Sequence, residues 1–287
     1  MASTGARVRV VTWNLGWRRA GWRSRQAAIH IALQSVAPNV LTVQAAWRGD
    51  EDSQVEGLSE ALGLPHVAWS TYARQDILGT VDSRPDLRMG IGVLSKWPFA
   101  GLQEVRSLPA AGQPDGGRTA LGVVIDHPSA ALPVVTTHLM SHPAGSAARV
   151  RQAATVVKFA AHVSAGVTAR AEQTRFPVVV TGDMNAVPSS DEMRKLGGLL
   201  TEPVVPGFVL ADCWDLAGEE DPGWTWFRNN PWVGPGHPNA RIDYVLVGMD
   251  GSKGLGRVTG RGLLGDGPVA TVWPSSHAGV WVDLSVA

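Results

Sequence analysis

The chain has 287 residues, of which 44% are hydrophobic and 17% are charged, and its 25 basic residues balance its 25 acidic residues. No apolar run approaches the roughly 18 residues of a membrane span, and the charge lacks the basic surplus typical of proteins that hold duplex nucleic acid by its phosphates. Its single cysteine, Cys213, excludes an internal disulfide.

A single domain over residues 1–287 is expected, because the apolar content suffices for one large core and no linker-like stretch interrupts the chain. The first residues enter a strand without a signal-peptide core, and together with the lone cysteine this predicts a cytoplasmic protein. The charge balance favours a small-molecule partner over nucleic acid or a membrane, and nothing in the sequence indicates an oligomeric state.

Alternating and β-branched runs predict strands over residues 7–14, 39–44, 66–71, 89–95, 118–126, 132–138, 177–182, 241–247 and 279–285. Apolar residues at helical spacing predict helices over residues 24–36, 51–62 and 146–165. We expect Asp50 to cap the second helix and Gly63 to end it. The order of these elements predicts two sheets flanked by helices, with strand ends that converge at one mouth.

Polar residues of the kinds used in catalysis end or interrupt the apolar strands. Asp183 and Asn185, in the segment TGDMNAVPSS, lie two residues apart, so their side chains point the same way on an extended chain. Taken singly, each polar residue is more simply a turn or core residue, but their number favours a shared site. The others are Asn14, Gln44, His138, Asp243 and His277.

The motifs TWN, QAAW, GIGVLSKWPF, TTHL, GDMNAVPSS, RIDYVLV and SSH resemble, in order and spacing, those of the endonuclease/exonuclease/phosphatase (DNase I-like) superfamily. The resemblance covers nearly the whole chain. It implies an α/β fold, a four-layer α/β/β/α sandwich of two mixed sheets flanked by helices. It also implies a divalent cation, usually magnesium, beside a scissile phosphate that water attacks in line.

The resemblance implies a role for each matching residue. Asp183 would orient or deprotonate the attacking water, and Asn185 would donate to a phosphate oxygen. His277 would bind the phosphoryl oxygen, with Asp243 holding its ring and raising its pKa. His138 would be a second histidine facing the phosphate.

Five residues are candidates for substrate binding. Indole faces bind planar or cationic groups, guanidinium groups bind phosphate, and a histidine four residues after His138 could reach the cleft. Arg88 is an alternative to Arg118, and the sequence does not distinguish them. An arginine cluster after TWN, which includes Arg18 and Arg19, could also steer an anion to the site. The five candidates are Asn14, Gln44, Trp47, Arg118 and His142.

Two departures from the family pattern remove carboxylates that face the cation. Ala45 stands where the family has its principal metal-ligand glutamate, and Ser276 stands where it has the aspartate of Ser-Asp-His. Magnesium prefers oxygen ligands, one or two of them carboxylates. Magnesium or manganese would therefore be held weakly, by Asn14, Asp183 and the substrate's phosphate, or would be absent.

Three explanations fit these departures: an engineered substitution, a natural pseudoenzyme that only binds, or an enzyme that works without the usual metal. We expect a phosphoesterase-like hydrolase with an impaired or absent metal site, acting on a small phosphate-bearing or anionic substrate. The alternatives are a repurposed metal-independent biosynthetic enzyme that uses the same histidines and aspartates for acid–base chemistry, and a non-catalytic binding protein.

Overall fold

A computed structural model describes residues 7–19, 21–74, 84–109, 117–167, 175–216, 221–234, 236–249 and 254–286. The strands are β1 Arg7–Asn14, β2 Val40–Arg48, β3 His66–Arg74, β4 Arg88–Ser95, β5 Phe99–Ser107, β6 Thr119–His127, β7 Ala130–His138, β8 Val179–Asp183, β9 Leu210–Asp212, β10 Asp243–Gly248, β11 Val258–Leu264 and β12 Gly279–Ser285. The helices are α1 Trp22–Val36, α2 Gln54–Leu62, α3 Ser146–Ala165, α4 Asp191–Gly197 and α5 Cys213–Leu216.

The strands form two six-stranded sheets. The first has the order β11-β12-β1-β2-β4-β3, and the second has the order β5-β6-β7-β8-β10-β9. Each sheet is mixed: β1 and β2 run parallel in the first, β7 and β8 run parallel in the second, and antiparallel pairs surround them. The longer helices pack on the outer faces of the two sheets.

Three apolar clusters explain this layering. Inward-facing residues of both sheets form the central core. A second cluster packs α3 and α4 against the β5–β10 sheet, and a third packs α1 and α2 against the β11–β3 sheet. The predicted four-layer α/β/β/α sandwich is confirmed. Among the described residues, no helix combines the length and apolar character that crossing a membrane requires.

Strand pairing brings polar strand ends together. In the second sheet His138 is the register partner of Asp183, and Asp183 is also the register partner of Asp243. In the first sheet Asn14 pairs with Gln44 at the end of β1. Since β1 also contacts β8 and β10 across the sandwich, the two sheets bring these ends to the same mouth.

Three strands were not predicted, and all lie at or next to a sheet edge. β5 is largely exposed and contains Gly101 in the left-handed region, and β11 carries a bulge between Val258 and Gly260. β9 has three residues. Edge strands such as these bury little surface, so their sequences lack the apolar alternation on which strand prediction depends.

The predicted cap of α2 is wrong. The side chain of Ser53, not Asp50, accepts hydrogen bonds from the backbone N–H groups of Val55 and Glu56. Asp50 instead accepts a hydrogen bond from Arg88 at 3.1 Å on the surface. The helix begins at Gln54 because serine at the position before it satisfies the free N–H groups of the first turn.

Candidate functional site

A cavity of about 770 Å³ opens at the mouth where the strand ends meet. Its wall includes six of the polar residues that the sequence indicated, and also the two positions at which the family resemblance implies carboxylates. The six are Asn14, Arg118, His138, Asp183, Asn185 and His277, and the two positions are Ala45 and Ser276.

Asp183 is the centre of the polar wall. It ends β8 and is 1% exposed. Its Oδ2 atom accepts a hydrogen bond from Asn14 Nδ2 at 2.8 Å and lies 3.3 Å from His138 Nε2 and 3.8 Å from His277 Nε2. Its Oδ1 atom accepts from the backbone N–H of Asn185 at 2.9 Å. Residues from β1 and β7, the turn after β8 and the segment before β12 thus converge on one carboxylate.

Burial raises the pKa of Asp183 to about 6, with a further contribution from the nearby Asp243 carboxylate. His277 and the hydrogen bonds from Asn14 and Asn185 oppose this shift without cancelling it. A carboxylate with such a pKa exchanges a proton near neutral pH, which a general base requires.

His277 lies between two carboxylates. Its Nδ1 is 2.9 Å from Asp243 Oδ2, and its Nε2 faces Asp183. Burial lowers the pKa of His277, but Asp243 and Asp183 together outweigh it and raise that pKa above 6.5. The indole of Trp226 meets the ring edge-on, with centroids 4.8 Å apart. The arrangement favours an imidazolium that presents Nε2–H to the cavity.

The pKa of His138 shifts in the opposite direction to that of His277. Its Nδ1 is 2.8 Å from the Tyr72 hydroxyl, and its Nε2 faces Asp183. Burial lowers its pKa well below 6.5, and the positive charges of Arg118 and His277 lower it further. His138 is therefore a neutral imidazole at the pH where His277 is charged.

Asn185 adopts a left-handed backbone conformation, with φ of 49°. Its backbone N–H reaches Asp183, and its side-chain Nδ2 donates to the carbonyl oxygen of Leu139 at 3.2 Å. Asparagine tolerates this conformation better than most residues. The side chain lies in the cavity wall with one amide hydrogen already in use.

The structure distinguishes the two arginines that the sequence could not. Arg118 is 5% exposed, lines the cavity, and lies over the ring of Tyr72, with a hydrogen bond to Ser141 at 3.2 Å. Arg88 pairs with Asp50 on the surface. Arg118 is thus the arginine of the pair that can meet a bound anion.

Three predicted substrate-binding residues lie outside the cavity wall. Gln44 is fully buried and joins the sheets by donating to Thr12 at 3.0 Å and Thr136 at 3.1 Å. Trp47 is 4% exposed and belongs to the core between the sheets. His142 is exposed in the turn before α3, where its Nδ1 accepts from Ala144.

Sequence reasoning missed several cavity residues. Met89 lies in β4 without a polar group to single it out, and Trp226 and His237 lie outside the helices and named strands, where no periodicity marks them. Trp226 lies in the segment GWTWFRNNPW, whose sequence indicates a structural role. The sequence around His237 indicates only a loop. The arginine cluster was the one usable signal, since Arg18 and Arg19 both line the cavity. The missed set includes Met89, Trp226 and His237.

A sequence model described as the Endonuclease/Exonuclease/phosphatase family matches residues 11–277 of the chain. The chain belongs to this family. The match runs from within β1 to His277 and so spans every residue placed around Asp183. A search of curated proteins finds no match.

Solved structures share this family's fold. An endonuclease/exonuclease/phosphatase from Beutenbergia cavernae is 24% identical, with a TM-score of 0.67 over 97% of this chain and 71% of that one. D. rerio TDP2, complexed with single strand DNA product, is 16% identical, with a TM-score of 0.69 over 98% of this chain and 99% of that one. The human Nocturnin catalytic domain, with bound sulfate anion, is 16% identical, with a TM-score of 0.65 over 97% and 93%. At these identities the likeness establishes the fold.

Members of the Endonuclease/Exonuclease/phosphatase family are typically metal-dependent, and one group of ligand types is present among the described residues. Asp183, Asp243 and His277 offer atoms that all lie within 4.8 Å of one another. However, the Asp243 side chain is 0% exposed and its Oδ2 is engaged by His277. The His277 imidazole lies between the two carboxylates, with Nδ1 2.9 Å from Asp243 Oδ2 and Nε2 3.8 Å from Asp183 Oδ2.

The remaining donors also fit a hard cation poorly. Asn14 turns its Nδ2 toward Asp183, and its Oδ1 accepts from the Gly16 N–H at 2.9 Å. Ala45 lines the cavity with no donor atom, and Ser276 offers a neutral hydroxyl. Magnesium requires near-octahedral oxygen ligands including carboxylates. Asp183 is the one carboxylate that the described part of the wall contributes to it.

Proposed function

We propose that this chain is a phosphoesterase-like hydrolase with an impaired divalent-metal site, acting on a small phosphate-bearing or anionic substrate. One observation carries the proposal: Asp183 lies between His138 and His277 in the wall of a cavity that Arg18, Arg19 and Arg118 also line. A carboxylate flanked by imidazoles supplies acid–base groups, and the arginines supply the charge that attracts phosphate.

His277 is the phosphate-binding imidazolium in this proposal. Asp243 fixes its ring through Nδ1 and raises its pKa. The charged ring then directs Nε2–H at a phosphoryl oxygen and stabilises the negative charge that develops in the transition state. His138, which is neutral, donates or accepts a hydrogen bond at the same place without adding charge.

Asp183 is the base that takes the proton from the attacking water. Its pKa of about 6 leaves it ionised at neutral pH and basic enough to accept a proton. Asn14 and the Asn185 backbone hold the carboxylate in place. The Asn185 side chain is the proposed donor to a phosphate oxygen. Any magnesium or manganese would be held weakly, by Asn14 and Asp183.

The cavity favours a small substrate with an organic part. Its volume of about 770 Å³ falls within the usual range for small-molecule sites. Trp17, Met89 and Trp226 give it apolar surface beside the polar wall. Nucleic acid is a less favoured substrate, because the chain carries no net positive charge.

The test is hydrolysis of p-nitrophenyl phosphate and bis(p-nitrophenyl) phosphate with and without EDTA. We expect turnover that EDTA leaves unchanged and that His277→Gln lowers about 10²- to 10⁴-fold, the usual contribution of a positioned acid–base group. His162→Gln is the matched control, since His162 is exposed on α3 and pairs with Glu104. Turnover abolished by EDTA would restore the ordinary metal mechanism.

The same assay also tests a second candidate function, that of a repurposed metal-independent biosynthetic enzyme. The observation in its favour is the uncharged wall at Ala45 and Ser276, next to Trp17 and Met89, which suits an organic group where a cation would lie. No turnover of either ester, with tight binding of a neutral ligand, would favour this candidate. Binding without turnover of any kind would favour a non-catalytic protein.

A further inference from the structure

The hydroxyl group of Ser275 joins two backbone segments that carry residues of the cavity wall. Ser275 is fully buried, with 0% of its surface exposed. Its Oγ atom donates a hydrogen bond to the backbone carbonyl oxygen of Asn14 at 2.6 Å and accepts one from the backbone N–H of His277 at 3.2 Å. One side chain therefore connects the end of β1 to the segment that precedes β12.

Further hydrogen bonds hold the segment that contains Ser275. Asn230 donates from Nδ2 to the carbonyl oxygen of Ser275 at 2.8 Å. Arg25 donates from Nη1 to the carbonyl oxygens of Leu15 at 3.3 Å and Pro274 at 3.4 Å. The residue that follows β1 and the residue that precedes Ser275 thus share one guanidinium group, which keeps the two segments together next to the hydroxyl.

The two residues that Ser275 connects direct their side chains at the same atom. Asn14 Nδ2 donates to Asp183 Oδ2 at 2.8 Å, and His277 Nε2 lies 3.8 Å from that oxygen. Asn14 and Ser275 are 261 positions apart in the chain, so the covalent chain does not set the separation of these two groups. The hydrogen bonds of the Ser275 hydroxyl set it instead.

We propose that Ser275 is a positioning residue, which fixes the separation of Asn14 and His277 so that both side chains meet Asp183 Oδ2. This rests on the proposed function in one respect, that His277 and Asp183 act together in the reaction. A serine hydroxyl suits the role because it donates and accepts at the same time. Catalytic groups must be held to within a fraction of an ångström, which requires supporting hydrogen bonds of this kind.

Ser285 provides a matched control, because its buried hydroxyl makes the same two kinds of bond elsewhere. Its Oγ atom accepts from the backbone N–H of Arg257 at 3.0 Å and donates to the carbonyl oxygen of Gly254. Ser285 is 7% exposed and pairs in register with Arg7, at the end of β1 away from the cavity. Alanine at either serine leaves one N–H and one carbonyl without their hydroxyl partner, so we expect similar losses of melting temperature.

The first measurement follows the position of the His277 backbone without any assay of activity. Trp13 donates from Nε1 to the carbonyl oxygen of His277 at 2.8 Å, so the NMR peak of this indole N–H reports on that contact. Its absence in Trp13→Phe identifies the peak. We expect Ser275→Ala to move the peak upfield, because the hydrogen bond lengthens, and Ser285→Ala to leave it in place. If Ser275→Ala does not fold, Ser275→Cys replaces it, since a thiol is only a weak donor and acceptor.

The second measurement is the steady-state kinetics of p-nitrophenyl phosphate hydrolysis. We expect Ser275→Ala to lower kcat about 10- to 100-fold with little change in KM, because a small misplacement of His277 and Asn14 affects the transition state most. Ser285→Ala should keep the wild-type kcat despite its lower melting temperature. Equal kcat values in the two alanine variants, or an unmoved Trp13 peak in the Ser275 variant, would overturn the proposal.

Failure of this inference differs from failure of the proposed function. If the ester is hydrolysed but the Ser275 variant keeps its kcat, the proposed function stands and Ser275 is a structural residue only. If wild-type protein hydrolyses no ester, the proposed function fails, and the Trp13 peak alone decides whether Ser275 positions His277.

Discussion

Asp183 faces two histidines whose pKa values shift in opposite directions. Burial lowers the pKa of each ring, but the Asp243 and Asp183 carboxylates raise that of His277, whereas the charges of Arg118 and His277 lower that of His138 further. Pairs of titratable groups whose environments separate their pKa values mark the acid and base of a site. Here the separation supports His277 as the charged partner and Asp183 as the base.

The pH profile of kcat/KM tests this assignment. Asp183 must be ionised, so activity should rise as pH passes about 6. His277 must be protonated, so activity should fall as pH rises through its pKa, which lies above 6.5. Asp243→Asn removes a carboxylate that raises this pKa, so the alkaline limb should move to lower pH. The exposed Asp126→Asn is the control. An alkaline limb unmoved by Asp243→Asn would contradict the assignment.

Gln44 shows where residue-level prediction fails. A polar residue at a strand end looks the same in sequence whether it faces a cavity or another polar group. The amide of Gln44 meets the hydroxyls of Thr12 and Thr136 inside the sandwich, because buried polar groups must find partners. Thr136 lies 92 positions away in the chain, so local sequence carries no signal for this contact.

At the scale of elements, the pairing of β7 with β8 sets the distance between His138 and Asp183. Gly182, just before Asp183, has φ of 139°, and a Cβ atom there would lie 2.0 Å from the carbonyl oxygen of Thr137. No other residue type allows this approach of the two strands without strain. Glycine at position 182 is therefore a packing requirement of the β7–β8 pair.

Replacing Gly182 should separate the strands and damage the site. We expect Gly182→Ala to lower the free energy of unfolding by about 2–4 kcal/mol, because it adds both backbone strain and a clash. Gly57→Ala is the control, since Gly57 lies in α2 with no atom within 4 Å of the added Cβ, and it should stabilise by about 0.5–1 kcal/mol. Urea denaturation measures both. Equal effects of the two changes would show that the β7–β8 approach is not constrained at Gly182.

At the scale of the whole molecule, the two positions at which the family resemblance implies carboxylates belong to segments far apart in the chain. Ala45 lies in β2 and Ser276 precedes β12, yet both line the same cavity with Asp183 from the second sheet.

Restoring both carboxylates should restore a cation site. We expect Ala45→Glu with Ser276→Asp to bind magnesium at least about 10- to 100-fold more tightly than wild type, since carboxylate number governs affinity for hard cations. Calorimetric titration measures the binding, and each single substitution is the control. If the double variant binds no more tightly than the single ones, Ala45 and Ser276 are not the ligand positions.

The sequence by itself determined the layered sandwich, because strands and helices with apolar faces have few ways to bury them. It also determined the motif residues Asn14, His138, Asp183, Asp243 and His277, whose order the family pattern carries. Only the tertiary structure decided which side chains face the cavity. Gln44, Trp47 and His142 do not face it, whereas Arg18, Trp226 and His237 do. The reason is that accessibility depends on contacts between distant segments, and loop residues have no periodicity from which such contacts can be read.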